Sequence, residues 1–338
     1  MMRLPQFEYR AARTVAEALE WLGGAGSDTE KDPEARAMLM AGGTDVLPNM
    51  KHKIFTPQVV VGLRGVRELR GIAYDAEHGL RLGAGVNLAA IAASLIVRDR
   101  FPALAEAAQA VSTPQLRQMG TIGGNLCLDT RCNYYNQSEF WRRARDFCLK
   151  KGSEICRVAP NGMGCYAVSS CDTAPVLIAY GATARIASPQ GDRIVSVADL
   201  YNDDGIHPVH LREGEVLTDV YVPALAEGWR STYEKYRVRG SFDFPIVGVA
   251  AAAHFADGVC TDARLVLQAV ATQPLALPEA TALLAGQPWT PALLDAAADV
   301  AYRNAHPMDN TSGTIALRRR MVRAHTRRAL ERLLAGTA

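Results

Sequence analysis

The sequence lacks a long apolar segment. Its best apolar run, Val247 to Ala256, is too short to span a membrane and contains His254. It also lacks a lysine and arginine tract with interleaved aromatic residues, and its formal net charge is only +2, which disfavours nucleic acid as a partner. The first residues contain no apolar signal-peptide region. We therefore expect a soluble cytoplasmic protein that binds neither a membrane nor a nucleic acid.

Two common nucleotide-binding motifs are missing as well. No Gly-Lys-Ser/Thr follows a glycine-rich turn, which excludes a Walker A loop. The segment Gly83-Ala84-Gly85 lacks the third glycine of a Rossmann fingerprint. If the chain binds a nucleotide, it uses another kind of loop.

The length of 338 residues predicts two or three domains, with a boundary near residues 224–228. Apolar periodicity distinguishes the helices from the strands. The predicted helices cover residues 14–22, 101–111, 278–284, 291–304 and 317–334, and a further helix starts near 88 after Asn87. The predicted strands cover residues 38–41, 59–63, 80–86, 218–223, 247–254 and 264–271.

Two glycine-rich turns are the first candidate site. Gly42-Gly43-Thr44-Asp45 follows a predicted buried strand, and Gly120-Thr121-Ile122-Gly123-Gly124-Asn125 follows a predicted helix. Glycine lets backbone N–H groups approach an anion closely, and threonine adds a hydroxyl donor. The first turn alone is equally consistent with a plain tight turn. Two such turns in one chain favour a pyrophosphate cradle built from two sides.

The second candidate site is a polar and aromatic segment rich in cysteine. Successive gaps of 15, 7 and 8 residues separate Cys132, Cys148, Cys156 and Cys165. Zinc sites and ferredoxin-type clusters normally use closer spacing, so this pattern favours a cluster held by a long loop. Cys127 and Cys171 are further candidates, and spacing alone does not select four ligands from six. Cys260 is most simply a structural thiol.

The two glycine turns and Asp172-Thr173-Ala174-Pro175, in this order, resemble the FAD-binding medium subunits of the xanthine oxidase family of molybdenum hydroxylases. The resemblance covers essentially the whole chain and implies an α+β fold. Residues 1–225 would form a two-part FAD-binding domain of the PCMH/CO dehydrogenase flavoprotein type. Residues 226–338 would form a C-terminal α+β domain, a small antiparallel sheet with helices. Most medium subunits lack the cysteine-rich insertion, here residues 126–168.

The insertion itself is similar to that of 4-hydroxybenzoyl-CoA reductase β subunits, which are members of the same family. The similar segments are residues 126–132 and 135–141. The resemblance implies that Cys127 is not a ligand and that Cys171 is a local departure from the family. The implied ligands of an extra 4Fe–4S cluster are Cys132, Cys148, Cys156 and Cys165.

The resemblance also implies the residues that bind FAD. Residues 39–46 would form the first pyrophosphate loop, Asp172 would contact the adenosine side, and Leu217 and Lys235 would lie near the flavin ring. The implied set is Leu39, Met40, Ala41, Gly42, Gly43, Thr44, Asp45, Val46, Thr121, Gly123, Gly124, Asn125, Asp172, Leu217 and Lys235.

The implied function is that of an electron-transfer flavoprotein subunit. Electrons from a donor such as ferredoxin would enter at the 4Fe–4S cluster and pass through FAD to a small 2Fe–2S subunit and a large molybdenum subunit. The large subunit of this heterotrimer, or dimer of heterotrimers, would reductively dehydroxylate 4-hydroxybenzoyl-CoA to benzoyl-CoA in anaerobic aromatic degradation. No residue of this chain is then expected to act on the substrate.

Two alternatives remain open at this point. The chain could be the FAD medium subunit of an ordinary molybdenum hydroxylase or dehydrogenase that delivers electrons outward to NAD or a quinone. It could instead be an interaction module in which zinc holds the long loop, since zinc accepts four thiolates readily. Iron, zinc and flavin content distinguish the three.

Overall fold

The computed structural model describes residues 2–23 and 37–336. In these ranges no helix is long and apolar enough to cross a membrane. The helices are α1 (Val15–Gly23), α2 (Val46–Lys51), α3 (Leu88–Ala93), α4 (Leu95–Arg100), α5 (Pro102–Ala110), α6 (Pro114–Arg117), α7 (Ile122–Leu126), α8 (Glu139–Arg143), α9 (Thr173–Ala179), α10 (Pro278–Leu284), α11 (Pro291–Asn304) and α12 (Ile315–Ala335). The strands are β1 (Glu8–Ala11), β2 (Ala37–Met40), β3 (Val59–Gly62), β4 (Ile72–Asp75), β5 (Gly79–Gly83), β6 (Thr183–Ala187), β7 (Arg193–Ser196), β8 (Val216–Val222), β9 (Trp229–Tyr236), β10 (Val247–Ala256), β11 (Val259–Gln268) and β12 (Leu275–Ala276).

A three-stranded parallel sheet carries the first glycine turn. Its order is β1-β3-β2, and the central strand β3 is buried along its whole length. Both faces of such a strand contact apolar groups, which explains the unbroken run Val59-Val60-Val61. The chain leaves β2 at Met40 and turns at Gly43, whose φ of +71° is readily adopted only by glycine.

A five-stranded antiparallel sheet carries the second glycine turn. Its order is β4-β5-β8-β6-β7, so β5 pairs with a strand that lies far downstream in the sequence, for example Leu82 with Val220. Helices α3, α5, α7 and α9 share one apolar core with this sheet. The second turn and α7 lie directly above the end of β5, because Ile122 and Gly123 donate backbone hydrogen bonds to the carbonyls of Val86 and Ala84.

The C-terminal four-stranded antiparallel sheet, β12-β11-β10-β9, separates two cores. Side chains alternate between the two faces of a strand. In β10, Val249 and Ala251 therefore pack under α11 and α12, whereas Ala250 and Ala252 join the core that contains α5 and α9. The alanine-rich strand thus lets the sheet approach the FAD-domain helices closely.

Most predicted elements are found, and the differences have local causes. The apolar segment from Thr173 to Ile186, for which the sequence predicts no single element, divides into α9 and β6 at Gly181, where φ is +70°. The predicted strand at residues 264–271 instead spans Val259–Gln268. Asp257 and Gly258 both have positive φ and form a tight hairpin turn, so β11 pairs with β10 from its first residue.

We predict that Ala252→Leu destabilises the protein because the larger side chain overfills the contact between the C-terminal sheet and the helices beneath it. The free energy of unfolding should fall by about 1–3 kcal/mol. Ala256→Leu, an exposed position at the end of the same strand, is the matched control and should change it by less than about 0.5 kcal/mol. Denaturant unfolding measures both. Equal effects of the two variants would contradict this packing.

Candidate functional site

One cleft brings most of the predicted flavin-site residues together. It lies between the end of β2, the start of α7 and the strand β8, and it encloses about 270 Å³. Phe242 and Phe244, from the loop after β9, complete its wall. The predicted residues that line the cleft are Leu39, Ala41, Gly42, Gly43, Thr44, Asp45, Val46, Thr121, Gly123, Gly124, Asn125, Asp172 and Leu217.

The first turn presents free backbone donors to this cleft. Within the described residues, the N–H groups of Gly42, Gly43, Thr44 and Asp45 meet no hydrogen-bond acceptor. A Cβ atom on Gly42 would lie 1.9 Å from the Met119 carbonyl oxygen, so the turn packs against the second turn without room for a side chain. Several unpaired N–H groups next to one another form a site suited to an anion.

The second turn, predicted to form the other side of the pyrophosphate cradle, differs from the first in its backbone hydrogen bonds. Ile122 and Gly123 donate their N–H groups to carbonyls at the end of β5, and Gly124 N–H donates to Thr121 Oγ1 at 3.1 Å. Asn125 N–H donates to the Thr121 carbonyl at 2.9 Å, so the N–H groups of Gly123, Gly124 and Asn125 are already paired within the protein. Gly123 is required by packing, because its Cβ would lie 2.7 Å from the Ala84 Cβ. Gly124 has space, with only Thr121 Oγ1 within 4 Å of its Cβ position.

Asn125 and Ser170 supply side-chain donors at the floor of the cleft. Asn125 Oδ1 accepts hydrogen bonds from Thr173 Oγ1 at 2.7 Å and Cys171 Sγ at 3.2 Å, which leaves its NH₂ group for a ligand. Ser170 is 3 % exposed, and its hydroxyl has no partner among the described residues. Sequence reasoning missed Ser170, because a serine outside a glycine turn carries no signal of its own.

Asp172 is held by the C-terminal domain. Its Oδ1 accepts from Tyr233 Oη at 2.7 Å, and its Oδ2 pairs with Lys235 Nζ at 2.9 Å. Lys235 also donates to the Ala110 carbonyl at 3.0 Å, and both members of the ion pair are almost fully buried. Burial, and secondarily the Asp172 charge, raise the pKa of Tyr233 well above its usual value. Lys235 therefore lies behind the cleft wall and acts through Asp172, while Met40 packs beneath Gly43.

The four cysteines of the insertion meet in a separate small cavity. Their side chains line it together with apolar and aromatic groups that include Tyr134, Tyr135, Leu149, Val158 and Ala167. All four cysteines are buried. In the described part of the chain, no three Cys, His, Asp or Glu side chains are grouped closely enough to hold a single metal ion.

Backbone N–H groups lie near three of these thiols. Those of Tyr134 and Tyr135 act to lower the pKa of Cys132, those of Lys150 and Lys151 act in the same way on Cys148, and that of Ala167 does so on Cys165. Burial is the largest influence and raises the pKa of Cys132 and Cys165 to about 11, and it raises the pKa of Cys148. The thiols of these three residues are therefore protonated at neutral pH until a metal displaces the proton.

Cationic side chains lie beside the same cavity. Lys150 pairs with Asp129 and donates to Thr130 Oγ1 and the Gly205 carbonyl, both at 2.6 Å. Its Nζ lies 4.7 Å from the centre of the Tyr135 ring. The buried Arg142 donates to the carbonyls of His52 and Lys53. Lys150 lines the cavity, and both cations lie close enough to Cys148 to favour a negative charge there.

Cys127 and Cys171 lie elsewhere. Cys171 belongs to the core under α9, and Cys127 packs against that core at the edge of the flavin cleft. Burial raises the pKa of Cys127 to about 12 and that of Cys171 to about 11. Cys260 lies in the C-terminal core. The tertiary structure thus separates the four converging thiols from the other three.

Two sequence-family models match the N-terminal and C-terminal parts of the chain and identify the class of protein. The model described as the FAD binding domain in molybdopterin dehydrogenase matches residues 5–225, and the CO dehydrogenase flavoprotein C-terminal domain matches residues 231–333. The chain therefore belongs to the FAD-binding medium subunits of the xanthine oxidase family of molybdenum hydroxylases. The predicted α+β fold class is confirmed.

Individual relatives extend over nearly the whole chain. The carbon monoxide dehydrogenase medium chain of Hydrogenophaga pseudoflava is 28% identical and covers 96% of each chain. The aldehyde oxidoreductase FAD-binding subunit of Escherichia coli is 30% identical and covers 93% of this chain and 95% of its own. A solved chain of the Hydrogenophaga carbon monoxide dehydrogenase superimposes over 100% of both chains with a TM-score of 0.80 and 29% identity.

We predict that Lys235→Met lowers the free energy of unfolding by about 3–5 kcal/mol, because it leaves the buried Asp172 carboxylate without its countercharge. Adding Asp172→Asn should recover part of that loss. Lys51→Met, at an exposed lysine, is the control and should have little effect. Denaturant unfolding of the FAD-free chain measures the series. A double variant no more stable than Lys235→Met would contradict the assigned role of the pair.

Proposed function

We propose that this FAD-binding subunit is an electron-entry subunit of a molybdenum enzyme of the 4-hydroxybenzoyl-CoA reductase type. The observation that carries the proposal is the convergence of four insertion thiols in one buried cavity beside the FAD domain. The chain would accept electrons from a low-potential donor such as ferredoxin and deliver them to partner subunits. FAD binding and membership of the molybdenum hydroxylase family do not depend on this proposal.

The residues of the cleft fit FAD. Its pyrophosphate is dianionic, and the unpaired N–H groups of Gly42 to Asp45 can meet that charge without a lysine. The orphaned Ser170 hydroxyl and the Asn125 NH₂ group add donors, while Leu39 and Leu217 supply apolar walls. Bound FAD supplies the interconversion of one- and two-electron transfers, and the chain contributes binding, orientation and electrostatics.

The residues of the thiol cavity fit a 4Fe–4S cluster. Four thiolates are the usual ligand set, and burial together with nearby N–H groups is one of the means by which a protein sets a cluster potential. Lys150 and Arg142 offset the negative charge that four thiolates bring. A bound cluster supplies one-electron transfer. The surrounding side chains hold it away from water.

The partners and the reaction follow from the same resemblance. A small subunit with 2Fe–2S clusters and a large subunit with the molybdenum cofactor would complete a heterotrimer. The large subunit would remove the phenolic hydroxyl of 4-hydroxybenzoyl-CoA reductively. This chain would then hold no substrate-transforming residue, and its role would be to bind two cofactors at fixed positions.

The second candidate is an ordinary FAD medium subunit that passes electrons outward. The similarity to carbon monoxide dehydrogenase medium chains over 96% of the sequence favours it. It leaves the buried set of four thiols without a role. Zinc bound by these thiols is the third candidate, and it is disfavoured because, among the described residues, no three such side chains are grouped closely enough for a single metal ion. Metal content decides between them.

Cys148→Ser tests the cluster. The wild-type chain, purified without oxygen, should hold about four irons and show a reduced-cluster signal in electron paramagnetic resonance. Cys148→Ser should lose both, and with excess FAD supplied it should still bind flavin. Cys260→Ser, which alters a buried thiol outside the insertion, is the control and should keep its iron. Stoichiometric zinc in a colourless wild-type chain would reject the cluster.

Gly124→Leu tests the flavin cleft. Because the Gly124 Cβ position meets only Thr121 Oγ1, at 3.1 Å, a larger side chain should enter the cleft and block FAD at a smaller cost in stability than the same change at Gly123. Gly123→Leu is the matched comparison: it should lower the free energy of unfolding by about 1–3 kcal/mol, because it overpacks against Ala84. Flavin absorbance per chain and denaturant unfolding separate the two effects. Full flavin occupancy in Gly124→Leu would contradict the assignment of this cleft as the FAD site.

A further inference from the structure

We infer that Arg131 is a positioning residue that couples occupancy of the thiol cavity to FAD affinity. One end of this residue is fixed next to a candidate cluster ligand, and the other end holds the first glycine turn. The inference rests on the proposed function for the cluster, but the effect of Arg131 on FAD affinity can be tested without iron.

The backbone of Arg131 anchors the insertion. Arg131 N–H donates to the Val168 carbonyl and Val168 N–H donates to the Arg131 carbonyl, both at 2.8 Å. This single antiparallel bridge joins the two ends of the cysteine segment. Cys132 follows directly, and its N–H donates to Asn136 Oδ1 at 3.0 Å. The position of Arg131 therefore depends on how the cysteine segment is folded.

The side chain of Arg131 reaches the flavin site. Its Nη2 forms an ion pair with Asp45 Oδ1, and Asp45 Oδ2 accepts from Asn49 Nδ2 at 2.9 Å. Asp45 precedes α2, where an aspartate usually caps the helix by accepting a backbone N–H. Here its carboxylate makes no capping bond. The ion pair and Asn49 hold it instead.

The ion pair between Arg131 and Asp45 neutralises a negative charge at the cleft. Asp45 lines the same wall as the free N–H groups, so its carboxylate would repel the pyrophosphate dianion. Arg131 neutralises that charge from behind. Removing the guanidinium should therefore leave an uncompensated carboxylate within the anion site, and the partly buried setting limits screening by water.

Phe244 stacks against the guanidinium. The Arg131 Cζ lies 4.5 Å from the centre of the Phe244 ring, and this ring lines both the flavin cleft and a cavity of about 450 Å³ that also borders Cys132. Arg131 is 9 % exposed. Arg131 is buried, stacked and ion-paired, so its side chain has little freedom to move on its own. A shift of the insertion should therefore move Asp45 as well. By linkage, the effect of the cluster on FAD equals that of FAD on the cluster.

The first experiment measures FAD affinity of the full chain by fluorescence titration. Arg131→Met should weaken FAD binding roughly 5- to 150-fold, the range of typical coupling between sites. Adding Asp45→Asn should restore most of the affinity, since it removes the uncompensated charge. Arg143→Met, a change of the same type at an exposed arginine of the insertion, should bind FAD like the wild type.

Two results would overturn the charge-compensation role. One is unchanged FAD affinity in Arg131→Met, and the other is a loss that Asp45→Asn does not relieve. Thermal unfolding of each chain checks that it is folded. If Arg131→Met does not fold, Arg131→Gln with and without Asp45→Asn provides the same comparison.

The second experiment compares iron-loaded chains with chains from which iron has been removed by a chelator. In the wild type, loss of iron should weaken FAD binding, and in Arg131→Met the two states should bind FAD equally. Equal affinities of the two wild-type states would overturn the coupling. A wild-type chain that never binds iron would reject the proposed cluster instead, while the Asp45→Asn rescue would still test Arg131.

Discussion

The buried ion pair between Lys235 and Asp172 joins the two domains at the wall of the FAD cleft. Two charges removed from water are stable only when each keeps further hydrogen-bonding partners. Tyr233 and the Ala110 carbonyl provide those partners. The pair therefore fixes where β9 meets the start of α9, and the cleft depends on that junction. The alanine face of β10 allows the close approach that the pair requires.

The glycines of the two turns show that similar sequence motifs can have different structural roles. Both turns predict a close backbone approach, and the structure agrees. In the first turn the approach leaves N–H groups free for an anion. In the second turn Gly123 packs against Ala84, and its N–H donates to the Ala84 carbonyl near the end of β5. The same residue type thus accompanies unpaired backbone donors in one turn and paired ones in the other, and it allows close packing in both.

The insertion is attached to the FAD domain at the point where coupling between cofactors would matter. Its stem is the bridge between Arg131 and Val168, and the same arginine reaches Asp45 of the first turn. Sequence reasoning treated the insertion and the glycine turns as independent, because nothing in the spacing of residues 45 and 131 indicates contact. An ion pair between distant chain segments exists only once the two segments are packed together.

Within the described residues, the sequence by itself predicted six of the twelve α-helices, six of the twelve strands, the two turns and the family, because these depend on local periodicity, on glycine chemistry and on motif order. It also identified the segment that holds the four thiols, but its cysteine spacing does not select four of the six. The tertiary structure brings the four together, since Cys127 and Cys171 lie close to that segment in the chain but pack into another core. It also decided that Lys235 acts through Asp172 and that Ser170 faces the cleft. These are contacts across sheets and domains, and they form only when non-local burial has brought the segments together.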